Sequence, residues 1–304
     1  MRLKTLQDLL PYCQQNVPTK CMAVIKAEDE HTLRAVMQAR KLGVIHPVLI
    51  GNAQVIKNAL NHMGAFPNEF EIVDVDDPKE AALTAIQMVH GKQADFLMKG
   101  LVETKDLMSV IVARESGMRT GRLMSKIDFM EIKGYHKIFA LSDSALNTKP
   151  DLEAKKQIIK NGLDVVRRLG IAYPKVAVLA ASETLNPKLS ESADAFELKK
   201  MYENGEFPKC ILEGPVSIDL ALDKEAVKIK GYKSPVGGDA DLLICPDLVS
   251  GNLMGKGMLL AGAKAAGIIT GAKVPIVLMS RAAAIEEKFR SIILGAIASN
   301  TVEE

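Results

Sequence analysis

Short apolar runs alternate along this chain with longer stretches whose apolar residues recur at helical spacing, and nearly every run ends in a turn. A helical pattern over Leu3 to Gln15 precedes the apolar run Cys21 to Ile25. Glu28 to Leu42 reads as helix, with Leu33, Val36, Met37 and Leu42 on one side, and Val48 to Ile50 reads as a strand ending at Gly51. Gln54 to His62 is helical and Glu71 to Val75 strand-like. Lys79 to His90 is helical, with Pro78 in the first turn, where a missing N–H costs nothing. Asp95 to Met98 is a strand ending at Lys99-Gly100, and Thr104 to Glu115 is a helix. Strand and helix repeated in this way predict a parallel sheet with helices on both faces.

The rhythm changes between residues 121 and 141. Leu123 to Ile132 and Lys137 to Leu141 are strand-like and separated by only four residues, which predicts a hairpin or a crossing between domains. After the polar loop Ser142 to Asn147 the alternation resumes. Helix Asp151 to Leu169, strand Lys175 to Leu179, helix Ser190 to Tyr202, strand Cys210 to Leu212 and helix Val216 to Val227 lead to the strand Leu242 to Ile244. The glycine-bearing segment Ser250 to Gly257 opens another helical pattern. Ile276 to Leu278 is the last strand and Ala283 to Ala298 the last helix. About ten strands suit two lobes of about five each. The expected division is 1–133 plus 270–304 for one lobe and 134–269 for the other, with a return crossing near Ala266 to Lys273.

The 304 residues suffice for two cores, and 48% hydrophobic with 25% charged residues is ordinary for a globular protein. A net charge of +2, no tryptophan and few aromatic residues exclude an electrostatic or stacking platform for nucleic acid. No apolar run reaches the ~20 residues that span a bilayer. With no signal-peptide core at the start, the expectation is a cytoplasmic protein with neither nucleic acid nor membrane as partner. Cys13, Cys21, Cys210 and Cys245 form no Cys-x-x-Cys pair and no metal-ligand spacing, so buried reduced thiols are expected and no metal site.

Candidate chemistry gathers at strand ends. Ser234-Pro235-Val236-Gly237-Gly238-Asp239 is a glycine turn that serves either as a plain loop or as a close approach to a ligand. Met279-Ser280-Arg281 stands between the last strand and the last helix. Ser280 either caps that helix or, with Arg281, forms an anion site. Glu286 and Glu287 lie six and seven residues after Ser280. In a helix, seven residues return Glu287 to the side of Ser280. Lys99 and Thr104 follow another strand end. Arg119 and Arg122 are either a solvated face or a groove for a phosphorylated ligand. Ser142 and Asp143 begin a polar loop, and Asn252 and Lys256 lie on the glycine-bearing helical segment. Walker A, Gly-x-Gly-x-x-Gly and Gly-x-Ser-x-Gly patterns are absent, which disfavours a P-loop, a dinucleotide site and a nucleophile elbow.

Taken together, Glu213-Gly214-Pro215 with Asp219, Ser234-Pro235-Val236-Gly237-Gly238, Pro246-Asp247-Leu248, Ser250-Gly251-Asn252 with Lys256, and Ser280-Arg281 resemble the phosphate acetyltransferase/phosphate butyryltransferase family. Met98-Lys99-Gly100, Arg119-Thr120-Gly121-Arg122 and Ser142-Asp143 extend the resemblance in collinear order over nearly the whole chain. The wording Glu-Gly-Pro-Val-Ser-Ile-Asp is similar to the butyryl branch. The resemblance implies an α/β fold of two α/β/α lobes with mostly parallel sheets, isocitrate/isopropylmalate dehydrogenase-like, with the active site in a cleft between the lobes and a homodimer or higher homo-oligomer.

It also implies a reaction of acyl-CoA with inorganic phosphate to give acyl phosphate and CoA, with butyryl-CoA preferred. No metal or cofactor is required, and coenzyme A is itself a substrate. Carried over by position, Ser280 is placed near the thiol or oxyanion, Arg281 on phosphate, and Glu287, with Glu286 beside it, at the offset of the thiol base. Lys99, Thr104, Arg119, Ser142, Asp143, Ser234, Gly237, Gly238, Asn252 and Lys256 are the implied substrate-binding residues. The alternatives are a phosphate acetyltransferase, a non-catalytic CoA-binding protein, and a metal- and NAD-dependent decarboxylating dehydrogenase on the same fold.

Overall fold

The computed structural model describes residues 3–280 and 282–300. In chain order the elements are α1 (Leu9–Asn16), β1 (Lys20–Ile25), α2 (Glu30–Lys41), β2 (Ile45–Gly51), α3 (Ala53–His62), β3 (Glu71–Asp74), α4 (Pro78–His90), β4 (Phe96–Lys99) and α5 (Thr104–Val112). The hairpin strands β5 (Ser125–Glu131) and β6 (Phe139–Ser142) follow, then α6 (Leu152–Arg168), β7 (Lys175–Leu179), α7 (Ser190–Glu203) and β8 (Ile211–Val216). The chain closes with α8 (Ile218–Leu222), α9 (Lys224–Lys230), β9 (Leu242–Ile244), α10 (Leu248–Leu260), β10 (Lys264–Thr270), β11 (Ile276–Val277) and α11 (Ile285–Ser299).

Two compact units divide these elements. The first, residues 7–122 and 266–300, carries strands in the order β3-β2-β1-β4-β11-β10. All pair in parallel except β10, which runs antiparallel to β11. The second, residues 3–6 and 123–265, carries β5-β6-β9-β7-β8, parallel except for β5. The expected mixed α/β class with mostly parallel strands is therefore present.

The boundaries differ from the expected 133/134 and 269/270. Residues 125–131 belong with the second unit because β5 ladders antiparallel to β6, Ile127 opposite Ser142. The hairpin, not the crossing, is what the short link makes. Residues 3–6 go the same way, Leu6 N–H donating to the Glu131 carboxylate at 2.7 Å. On the return, the segment expected as a connection is strand β10, with Ile269 opposite Ile276. The single helix expected over Val216 to Val227 is two, because Asp223 leaves the helix and caps α9 by accepting from Glu225 N–H.

Each sheet buries branched and aromatic side chains. Val24, Ile25, Phe96, Leu97 and Val277 are fully buried in the first unit. Phe139, Leu141, Val176, Leu242 and Leu243 are fully buried in the second. Helix α11 is buried along most of its length, from Lys288 to Ala298 apart from Arg290. Its Gly295 allows that: a Cβ there would lie 2.7 Å from the Phe96 ring and 2.9 Å from Val277, so only glycine seats the helix this low on β4 and β11.

Candidate active site

The parallel register of the first unit brings three strand ends side by side. Ile25 of β1 is opposite Lys99 of β4, and Met98 of β4 is opposite Val277 of β11. Lys26, Lys99-Gly100 and Met279-Ser280 therefore leave the sheet at one edge, the carboxyl edge at which open α/β sheets bind ligands. Lys99 is buried, and its ammonium donates to the Val102 carbonyl at 2.8 Å, holding the turn into α5. Thr104 is the exposed first residue of that helix, one position past its cap, Glu103. Lys26 is also buried, in a left-handed backbone conformation (φ 57°) that non-glycine residues seldom adopt. It pairs with Glu28 at 2.6 Å and donates to the Asp76 carbonyl at 2.7 Å. Burial works to lower its pKa, but the Glu28 and Asp76 contacts prevail and raise it, so the ammonium stays charged.

Ser280 is exposed beyond β11. Its carbonyl accepts from Ala283 N–H at 3.0 Å and its hydroxyl from Ala282 N–H at 3.3 Å, so it shapes a separate turn. It does not cap α11, whose N-cap is Ala284. The helical-period argument that linked Ser280 to Glu287 fails for the same reason, since Ser280 and residues 282–284 lie outside the helix. Glu286, exposed, and Glu287, half-buried, occupy the first turn of α11, where the helix dipole favours carboxylates. Arg281 lies outside the described residues.

The second unit presents the carboxyl edge of β6, β9 and β7, with Ser142 opposite Ile244 and Val178 opposite Ile244. Ser142 is fully buried and donates to the Lys126 carbonyl. Asp143 is 3% exposed, and its carboxylate accepts five hydrogen bonds, from the N–H groups of Lys126, Ala145, Leu146 and Asn147 and from the Asn147 amide. In this structure both side chains hold the loop. Asp247 and Ser250 form a reciprocal capping box at the start of α10, and the hydrogen bond from Ser250 N–H leads in lowering the Asp247 pKa. Asn252, half-buried on that helix, donates to the Ser144 carbonyl at 3.2 Å, and Lys256 is exposed one turn further on.

The glycine turn is occupied by packing. A Cβ on Gly237 would meet Val227 at 3.1 Å, and one on Gly238 would meet Lys224 at 2.6 Å, with Gly238 at φ 62°. The two glycines let the chain close onto α9, and the Ser234 hydroxyl accepts from Val236 N–H at 3.3 Å. Arg119 is not brought to Ser280 and Lys99. Its backbone bridges Ala272 on the β10–β11 turn, at the opposite edge of the first unit's sheet. Among the described residues, no group of three His, Cys, Asp or Glu side chains is arranged to hold a metal ion, and no helix is long and apolar enough to cross a membrane.

A profile of the phosphate acetyl/butaryl transferase family matches residues 76–296. The chain belongs to that family. A phosphate butyryltransferase of Clostridium acetobutylicum is 38% identical over 279 residues, 91% of this chain and 93% of that protein. A phosphate acetyltransferase of Thermotoga maritima is 39% identical over 91% of this chain and 95% of that protein. The crystal structure of a branched-chain phosphotransacylase from Enterococcus faecalis superposes with a TM-score of 0.82 at 30% identity, covering 92% of this chain and 99% of that one.

Against this family membership, sequence reasoning overlooked two buried lysines at the first unit's carboxyl edge. Lys26 directly follows the apolar run that became β1, and a basic residue ending a strand was a usable signal. Lys288 gave none: in sequence it is one more charge after Glu286 and Glu287. Only the burial of α11 sets it apart.

Proposed function

We propose that this member of the family is a phosphate acyltransferase that interconverts short-chain acyl-CoA and phosphate with acyl phosphate and CoA, with butyryl-CoA preferred. The observation that carries the reading is that relatives named for this activity match over 91% of the chain. Identity to a butyryl and an acetyl relative is nearly equal, at 38% and 39%. The butyryl preference therefore rests on the wording from Glu213 to Asp219 and is the part most open to revision by acetyl-CoA.

In this reading a phosphate oxygen attacks the thioester carbonyl carbon. The tetrahedral intermediate then collapses, the C–S bond breaks, and the thiolate leaves with a proton supplied nearby. Ser280, exposed at the carboxyl edge, donates to the oxyanion or the sulfur. Arg281 holds phosphate, and Glu287, with Glu286 as the alternative, carries the proton. Lys99 sets the turn that presents Thr104. In the second unit Asn252 and Lys256 receive phosphates of CoA. The fold is proposed to be isocitrate/isopropylmalate dehydrogenase-like, and the protein a cytoplasmic homodimer whose reaction needs no metal or cofactor beyond CoA as substrate.

The test is phosphate-dependent release of CoA thiol from acetyl-, propionyl-, butyryl- and isobutyryl-CoA in excess chelator. Release is expected from all four, fastest from butyryl-CoA. No release from any of them sinks the reading, faster release from acetyl-CoA overturns the preference, and loss of activity in chelator overturns the metal-free proposal.

A further inference from the structure

Helix α11 carries a lysine where a helix buried in a core has no electrostatic use for one. Lys288 is 4% exposed. Its ammonium lies 2.9 Å from the Asp29 carboxylate and 3.1 Å from the Thr32 hydroxyl. The same Asp29 oxygen accepts from Thr32 N–H at 2.8 Å and from the Thr32 hydroxyl at 2.5 Å, which makes Asp29 the N-cap of α2. The contact therefore joins the first turn of α11 to the start of α2, and both leave the sheet at the carboxyl edge. One turn on, the fully buried Ser291 hydroxyl donates to the Glu287 carbonyl at 2.8 Å and accepts from Gly267 N–H of β10 at 2.9 Å. It also lies 3.3 Å from the sulfur of Met279, the residue before Ser280.

Buried ion pairs are poor sources of stability, because desolvation offsets the attraction and an apolar side chain of similar volume often does as well. What such a pair does supply is direction: an ammonium has one place to go, whereas a methionine there tolerates rotation and slide of the helix. We propose that Lys288 is a positioning residue for acyl transfer, its bond to Asp29 fixing the first turn of α11 and with it Glu287 and the segment from Ser280. The inference rests on the reading of that segment as the chemical one.

The test compares Lys288→Met, Lys288→Arg and Asp29→Asn in the full-length protein, measuring thermal midpoint, kcat, and KM for phosphate and butyryl-CoA. Asparagine keeps the α2 cap and removes only the charge. Because displacement of about 1 Å is enough to cost about a hundredfold, Lys288→Met is expected to lower kcat at least about tenfold while both KM values stay within about threefold. Asp29→Asn should move kcat in the same direction, the double variant should be no slower than Lys288→Met, and Lys288→Arg should recover most of the rate. If Lys288→Met does not fold, Asp29→Asn and Lys288→Arg carry the comparison. A folded variant that loses thermal midpoint but keeps the wild-type kcat overturns the positioning role, as does a loss confined to KM. Wild-type protein with no phosphate-dependent CoA release overturns the functional reading instead.

Discussion

The two units share a plan and differ in where they bury charge. Each has a mostly parallel sheet with one antiparallel strand, β10 in the first and β5 in the second. In the first unit the pair of buried Lys288 with half-buried Asp29 sits at the carboxyl edge, beside Ser280 and the first turn of α11. In the second the corresponding cluster lies at the opposite edge, where β6, β9 and β7 begin. There Lys137, 2% exposed, pairs with Asp241 and, at 2.9 Å, with Asp239, which also binds Lys175 at 2.6 Å and His136 at 2.8 Å. The second unit keeps one ion pair, Lys126–Asp128 at 2.9 Å, beside its own carboxyl edge, but the cluster around Asp239 and Asp241 is removed from that edge. The difference separates two roles of a buried ion pair, holding a fold and aiming a site.

The largest effect is expected in the second unit. Lys137→Met leaves the buried Asp241 and the half-buried Asp239 with one cation fewer, and breaking such a buried pair costs about 3–5 kcal/mol. Denaturant unfolding should register that loss, while kcat of the folded protein stays at the wild-type value. A matching fall in kcat would erase the contrast with Lys288→Met.

A matched pair of glycines sharpens the same comparison at smaller cost. Gly295→Ala drives a Cβ to within 2.7 Å of the Phe96 ring beneath α11, and Gly162→Ala on α6 brings one to 2.7 Å from Leu242 above β9. Overpacking of this kind costs about 1–3 kcal/mol. The Leu242 methyls are a side-chain end that can turn aside, so Gly295→Ala should be the more destabilised. Only Gly295→Ala should also lose kcat, because α11 carries Glu287 and α6 carries no proposed site residue. Equal kcat losses in both variants would point to general loosening.

The alternation of apolar runs and helical patterns was legible because it reports local burial, and it located ten of the eleven strands. The missing one, β10, reads Lys-Ala-Ala-Gly-Ile-Ile-Thr, small residues that a connection also tolerates, and its strand character comes from pairing with β11. The collinear motifs identified the family and marked Ser280 and Lys99, which the parallel register brings to a common edge. Burial of polar atoms was not legible. Asp143 has the composition of a ligand contact, and its carboxylate accepts from backbone N–H groups of its own loop and from Lys126 N–H of β5. Gly237 and Gly238 read equally as a plain loop or a close approach to a ligand, and their packing against α9 was not visible in the sequence. Lys288 was hidden for the converse reason, since its partner lies 259 residues away in sequence.

The smallest effect is confined to acid and tests both pairs by pH. Burial works to raise the Asp29 pKa, but the hydrogen bonds from Lys288 and Thr32 overcome it and hold the carboxyl at about 2, below its ordinary 3.8. The folded chain therefore binds this proton more weakly than the unfolded chain does. The stabilisation is complete above about pH 4 and is lost as pH falls through 2. Asp239 is also depressed, burial again opposing and Lys175 and Lys137 prevailing, so its contribution is likewise lost in acid. Asp29→Asn and Asp239→Asn should both flatten the decline of the urea midpoint between pH 4 and 2, because in each case the unfolded carboxylate binds a proton that the folded one does not, and Asp29→Asn alone should also lower kcat. If Asp29→Asn declines in parallel with the wild type, its carboxylate is not held by Lys288 in solution, and the positioning role loses its electrostatic basis.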